Sequence, residues 1–199
     1  MKRLILLLSS LALFGALTLG SAIVRADGTP DSGTTGQAAC QTGQNGTDDH
    51  GGADDRGATA ADDNGGSQGD DNEHGSSGDD HLSGQAGDDE IDGNNGDDDL
   101  CGDDGDDSLK GGSGNDNLQG GPGNDDLEGQ SGNDDLEGQS GNDLIVGGSG
   151  RDVLNGGSGR DRIRARDGRR DRINCGPGVD TVRADKADVV SSNCEHVSR

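Results

Sequence analysis

One aliphatic side chain returns every ninth residue through the middle of this chain: Leu82, Ile91, Leu100, Leu109, Leu118, Leu127, Leu136, Ile145, Leu154 and Ile163. The ten nonapeptides that carry them run unbroken from Gly75 to Arg164, from GSSGDDHLS through GGSGNDNLQ to GGSGRDRIR. Every copy has Gly first, Gly fourth, Asp sixth and Leu or Ile eighth. A helix would scatter the lone aliphatic around its circumference and take up helix-breaking glycines in every copy. The pattern predicts instead a turn followed by a very short strand. Gly at the first and fourth positions opens backbone angles closed to other residues, and the seventh to ninth residues form a strand whose middle side chain points inward. Two repeats then close one coil of 18 residues, with turns on opposite sides and two Leu/Ile rows facing each other. At a strand spacing of about 4.8 Å, the ten repeats would stack into a rod about 24 Å long.

The flanks break this period. The opening MKRLILLLSSLALFGALTLGSAIVRADG sets Lys2 and Arg3 before an apolar run that ends in Val24-Arg25-Ala26, the form of a cleaved secretory signal over residues 1–26. A membrane anchor is the rival reading, since Leu4 to Val24 is long enough to span a bilayer. The Ser, Gly and A-x-A-like site favour cleavage, which leaves no transmembrane segment, and the lack of a following Cys argues against a lipoprotein. Residues 27–74 hold almost no large apolar residue and read as a disordered, acidic, Gly/Ser-rich linker. The ten-repeat domain is assigned to 75–164 and degenerate repeats with a C-terminal cap to 165–199. In that last segment one extra residue precedes Ile173, CGPGVDTVR restores a copy around Asp180 and Val182, and ADKADVV falls one short before Val190. A solenoid needs such an atypical end to cover its last apolar row.

Composition sharpens the picture. Only 25% of the 199 residues are hydrophobic, 40 are Gly, the only Phe is Phe14, and Trp and Tyr are absent, so a conventional core is out of reach. The formal net charge is -24 and becomes -27 without residues 1–26. Residues 27–150 carry -30, while residues 151–199 carry +3. Stacked coils would bring the sixth-position aspartates together, with a like-charge repulsion of about 3 to 4 kcal/mol per pair at an effective dielectric near 20. Ten buried aliphatic side chains are too few to offset both that repulsion and the ordering of the backbone. A counter-charge is therefore expected, and carboxylate and carbonyl oxygens suit Ca²⁺ better than Zn²⁺ or Mg²⁺. The bland alternative, a disordered polyanion that attracts cations diffusely, does not account for strict phase over ten copies.

These nonapeptides resemble the RTX, or hemolysin-type, calcium-binding repeat of secreted bacterial proteins. The likeness covers 90 residues closely, with four positions kept in ten of ten copies. It implies an all-β fold, a right-handed parallel β-roll (β-solenoid), with Ca²⁺ held between turns on the same side. Carried over residue by residue, the ligands would be Asp80, Asp89, Asp98, Asp107, Asp116, Asp125, Asp134, Asp143, Asp152 and Asp161. Turn backbone would join them at Gly78, Gly87, Gly96, Gly105, Gly114, Gly123, Gly132, Gly141, Gly150 and Gly159. Asp80 would share an ion with the turn of Asp98, Asp89 with that of Asp107, and so on to Asp143 with Asp161, for about eight sites. The tail is similar to endings of this class in which two Cys bracket the final turn, which implies a Cys175–Cys194 disulfide. Four Cys allow three connectivities, and Cys40 with Cys101 is the remaining pair.

Fifth positions read Asp79, Asp88, Asp97 and Asp106, then Asn115, Asn124, Asn133 and Asn142, then Arg151 and Arg160. They are expected to point to solvent and record repeat duplication; the other reading is that they grade cation attraction along the roll. Arg160, Arg162, Arg164, Arg166, Arg169, Arg170 and Arg172 form the one basic cluster. Without aromatic residues to stack bases, and beside an acidic body, it does not read as a nucleic-acid surface. A cap salt-bridged to the roll is expected, with an anionic cell-surface polymer or self-association as the other partners to test. No CxxC spacing occurs and His50, His74, His81 and His196 are scattered, which argues against a transition-metal cluster. HExxH, GxSxG and GxxxxGK[ST] are all absent, so no enzyme activity is expected. The expected function is that of an extracellular, secreted or cell-surface Ca²⁺-binding protein that folds near millimolar calcium. A calcium-dependent adhesion or matrix-assembly protein is the alternative, and an undetected hydrolase comes third.

Overall fold

The computed structural model describes residues 69–199, so the expected signal and most of the expected linker lie outside the described residues. The described part contains strands and no helix, hence no helix long and apolar enough to cross a membrane. In chain order the strands are β1 (Asn72–His74), β2 (His81–Ser83), β3 (Glu90–Asp92), β4 (Asp99–Cys101), β5 (Ser108–Ser113) and β6 (Asn117–Pro122). They continue as β7 (Asp126–Ser131), β8 (Asp135–Gly141), β9 (Leu144–Val146), β10 (Val153–Asn155) and β11 (Ser158–Gly159). The last five are β12 (Arg162–Ala165), β13 (Arg172–Asn174), β14 (Thr181–Ala184), β15 (Val189–Val190) and β16 (His196–Ser198).

Strands alternate between two parallel sheets, one ordered β1-β3-β5-β7-β9-β12-β14-β16 and the other β15-β13-β10-β8-β6-β4-β2, with β11 added against β8. The described residues therefore form a parallel β-solenoid. Register follows directly from the period: Glu90 pairs with Ser108, Ser108 with Asp126 and Asp126 with Leu144, each 18 residues on. Because the pleat alternates faces, the eighth-position residues all turn inward. Ile91, Leu109, Leu127, Ile145, Ile163 and Val182 from one sheet pack with Leu100, Leu118, Leu136, Leu154 and Ile173 from the other, none more than 2% exposed. Each contributes about 1.5–3 kcal/mol of burial.

Three expectations need correction. The roll begins at β1, inside the segment assigned to the linker, because residues 66–74 (GSQGDDNEH) already keep the repeat frame and only the eighth position departs, as Glu73. Strands β5 to β8 run past the ninth residue into the turn, because Gly112 and Ser113 pair with Gln130 and Ser131 and make the turn a second short ladder. The first-position glycines do not supply the left-handed backbone. Within one repeat, positive φ falls at the second residue, Gln130 (69°), and the fourth, Gly132 (152°). Gly129 is needed for space instead: a β-carbon there would lie 2.5 Å from the carbonyl oxygen of Gly147 and closer still to Asp134 Oδ2.

Near the C-terminus the register widens to 19 residues at Leu154–Ile173 and Ile163–Val182, which absorbs the inserted residue, and narrows to 17 at Ile173–Val190. Cys175 and Cys194 form the expected disulfide, their Cα atoms 5.3 Å apart, and tie the end of β13 to the segment ahead of β16. Cys101 is buried and disulfide-bonded; Cys40, the partner expected for it, lies outside the described residues.

Candidate metal centre

Each strand is preceded by a sixth-position aspartate two residues ahead of its buried aliphatic, so the pleat that turns the aliphatic inward turns the carboxylate inward too. From Asp89 to Asp161 all nine of these aspartates are at most 3% exposed. Each reaches back one coil. The amide of Asp80 donates to Oδ1 of Asp98 (2.9 Å), that of Asp89 to Asp107 (2.9 Å), that of Asp98 to Asp116 (3.0 Å), and so on to Asp143 and Asp161 (3.1 Å). One oxygen of each carboxylate is thus satisfied by the protein.

The other is not. Oδ2 of Asp89, Asp98, Asp107, Asp116, Asp125, Asp134, Asp143, Asp152, Asp161, Asp171 and Asp180 is buried and accepts no hydrogen bond. Burying an acceptor without a partner costs about 1–3 kcal/mol, and more when it is charged. These oxygens line a space kept open by the first-position glycines. A β-carbon on Gly147 would lie 2.6 Å from Asp152 Oδ2, and one on Gly138 would lie 2.6 Å from the carbonyl oxygen of Gly156 and closer still to Asp143 Oδ2. An unsatisfied carboxylate oxygen and a carbonyl oxygen from the next coil therefore lie close to the same point. The fourth-position carbonyl oxygens, from Gly78 through Gly141, lie against the fourth-position glycine one coil further on. Asp80 is the exception, since the amide of Ser76 donates to its Oδ2 (2.6 Å).

Electrostatics agree with the geometry. Burial pushes the carboxyls of Asp125, Asp134 and Asp143 up to about 7 and those of Asp98 and Asp107 up to about 6, the donated amide acting against it. Neighbouring aspartates raise them further: Asp143 and Asp107 act on Asp125, and Asp152 and Asp116 on Asp134. Asp89, Asp116, Asp152 and Asp161 move in the same direction, also through burial. The ladder is a row of carboxylates that a positive charge would restore to their ionised form.

Among the described residues no three His, Cys, Asp or Glu side chains converge as a metal cluster. The donor set is instead one carboxylate per turn with backbone carbonyls, all oxygen, which fits a hard cation that accepts many oxygen ligands.

The ladder is longer than the ten repeats. Asp71 donates its amide to Asp89 Oδ1 at one end. At the other, the amides of Asp152, Asp161, Asp171 and Asp180 donate to Asp171, Asp180, Asp188 and Glu195. Of these five added members, Asp71, Asp171, Asp180, Asp188 and Glu195, each stands two residues before a residue in eighth-position register (Glu73, Ile173, Val182, Val190 and Val197). That spacing was the signal. At the C-terminal end broken phase hid it, and at Asp71 the replacement of the eighth-position aliphatic by Glu73 did.

Fifth-position side chains do more than point to solvent. Asp79 accepts the amide of Asp97, Asp88 that of Asp106, Asp97 that of Asn115 and Asn124 that of Asn142, one coil ahead in every case. The fifth and sixth positions therefore run hydrogen-bond ladders in opposite directions along the stack. The amides of Arg151 and Arg160 donate the last such bonds, to Oδ1 of Asn133 and Asn142.

The arginine cluster is not a salt-bridged cap either. Among the described residues the one ion pair is Lys110 with Glu90, at 2.9 Å. Strand alternation turns Arg162 and Arg164 out of β12, puts Arg172 on β13 in the opposite sheet, and leaves Arg169 and Arg170 in the intervening turn.

Fold and ladder together define a tandem-repeat β-roll with an oxygen-donor row in its turns. The RTX calcium-binding nonapeptide repeat, in its four-copy form, matches residues 65–100, 74–109, 101–136, 128–163 and 137–170. The chain belongs to this family of calcium-binding repeats. No curated protein and no solved structure matches it.

Proposed function

We propose that this is an exported calcium-binding protein whose repeat domain folds as Ca²⁺ enters the aspartate ladder. The observation that supports this most is the row of eleven buried carboxylate oxygens that accept no hydrogen bond. Asp80, Asp89 and their equivalents through Asp161 would hold the ions together with turn carbonyls, Asp80 less strongly because Ser76 already occupies one of its oxygens. The ten repeats provide for about eight ions, and Asp171 and Asp180 extend the same arrangement. Bound calcium supplies the positive charge that the stacked carboxylates lack. The chain's own residues do the rest: first-position glycines keep the space open, amides of the preceding coil orient each carboxylate, and the Leu/Ile rows bring successive turns into register.

On this reading the protein is not an enzyme, and it works outside the cell, where calcium lies in the range typical of extracellular modules. Circular dichroism of residues 27–199 in chelator, titrated with Ca²⁺ and with Mg²⁺ at equal ionic strength, tests it. A cooperative gain of β signal with Ca²⁺ alone is expected. A chain fully β-structured in chelator at neutral pH would show that the ladder does not need the ion.

A further inference from the structure

In a chain this acidic, one surface is conspicuously free of acid. The outward positions of the first sheet are Asn72 and His74 on β1 and Glu90 and Asp92 on β3, and on β7 they still carry Asp126 and Glu128. Across the next four strands the outward rows are Leu144, Arg162, Thr181 and His196, and beside them Val146, Arg164, Arg183 and Ser198. Arg164 and Arg183 are direct cross-strand partners, and both are exposed. Like charges placed opposite each other on adjacent strands destabilise a sheet unless a counter-charge joins them. No carboxylate does so here, because the one ion pair among the described residues is Lys110 with Glu90. The acids in the flanking turns are held elsewhere: Asp167 accepts the amides of Gly150 and Arg169, and Asp185 accepts that of Gly168.

The same residues enclose a groove of about 300 Å³ lined by Val146, Gly148, Arg164, Arg166 and Arg183. Arg166 is steadied at its edge, with Nε donating to the carbonyl of Ala184 (3.2 Å). Three arginines thus border a shallow recess whose remaining lining, Val146 and Gly148, is uncharged. Planar guanidinium forks match the oxygens of sulfate and phosphate groups in paired hydrogen bonds.

We propose that this groove on β9, β12 and β14 is an oxyanion-binding site, taking a sulfate or phosphate group, with Arg164 and Arg183 as its paired clamp and Arg166 as its third arm. Its location separates it from the aspartate ladder, so the molecule presents cation sites in its turns and an anion site on one sheet face. The apolar part of the lining suits the carbon skeleton of a polymer that bears such groups as esters.

The test uses the full chain in calcium at low ionic strength, with titration calorimetry against sodium sulfate, dextran sulfate and uncharged dextran. Binding of dextran sulfate but not dextran is expected, and it should weaken at least tenfold in Arg164→Gln/Arg183→Gln. The double variant Arg169→Gln/Arg170→Gln removes the same charge from the neighbouring turn and should bind within twofold of the unaltered chain. Both pairs are exposed, and circular dichroism with calcium checks that each variant is folded. Sulfate binding with the same arginine dependence would identify a free ion as a sufficient ligand; binding of dextran sulfate alone would identify a polymer-borne ester. The proposal is overturned if neither anion binds, or if the two double variants lose affinity equally, which would mean attraction by net charge alone.

Discussion

Replacing Asp107 by Asn should move the protein's stability in opposite directions with and without calcium. In the ladder, Oδ1 of Asp107 accepts the amide of Asp89, and its own amide donates to Oδ1 of Asp125. Asn keeps the oxygen that accepts. What changes is Oδ2, which is buried and accepts no hydrogen bond. A β-carbon on Gly102 would sit 2.6 Å from the carbonyl oxygen of Gly120 and closer still to Asp107 Oδ2, so an amide NH₂ at that place has a carbonyl acceptor nearby. At the strand spacing of about 4.8 Å, each neighbouring carboxylate repels Asp107 by about 3.5 kcal/mol at an effective dielectric near 20. With Asp89 and Asp125 as its two ladder neighbours, Asp107→Asn removes at most about 7 kcal/mol of repulsion from the metal-free roll, less whatever solvent screens. In calcium the same change removes a ligand. When calcium is tenfold above a site's dissociation constant, each ion lost costs about 1.4 kcal/mol. The measurement is a calcium titration followed by circular dichroism at pH 8, where a carboxyl raised to about 6 is ionised. The variant should need more calcium to fold and bind fewer ions by equilibrium dialysis, while its β signal in chelator is equal to or above that of the unaltered chain. A variant less structured than the parent in chelator would refute the reasoning, because it would mean that the carboxylate stabilises the roll without a cation.

Acid should mimic part of the metal's effect. The ladder carboxyls have folded-state values raised to about 6 or 7, so the metal-free roll binds more protons than the unfolded chain and is favoured below pH 4, losing that advantage as pH rises to 7. In chelator, β signal should therefore grow on acidification from pH 8 to pH 5, whereas calcium affinity should fall over the same range as protons compete; no change with pH in chelator would count against the buried ladder. Gly102→Ala puts a methyl group against Asp107 Oδ2 and the Gly120 carbonyl, so a loss of about 1–3 kcal/mol from overpacking is expected in calcium, read as a lower melting temperature. Cys175→Ser with Cys194→Ser opens the loop of separation 19 and should cost about 3 kcal/mol. Hydrogen exchange should place that loss in β13 to β16, leaving β3 to β8 protected.

The sequence by itself determined the coil. A period of nine with one inward aliphatic leaves a two-repeat turn of 18 residues, and that number alone sets which residues pair, as Ile91 with Leu109 and Leu100 with Leu118 confirm. The buried carboxylate row was legible for the same reason, because Asp98 and Asp116 stand at the same point of successive coils. The same count explains why Asp171, Asp188 and Glu195 are less legible than Asp180, which stands in a restored copy: residues inserted or missing after Arg164 break the phase while the backbone absorbs them in the turns and keeps the side chains stacked. Only the tertiary structure decided matters that depend on the distance between coils. It made the first-position glycines a matter of room rather than backbone angle, ran the fifth- and sixth-position ladders in opposite directions, and turned a run of arginines into separate surfaces. Arg164 and Arg183 are 19 residues apart in the chain and adjacent in the sheet. Spacing along a strand says which way a side chain points; what it then meets is fixed by the coil above and the coil below.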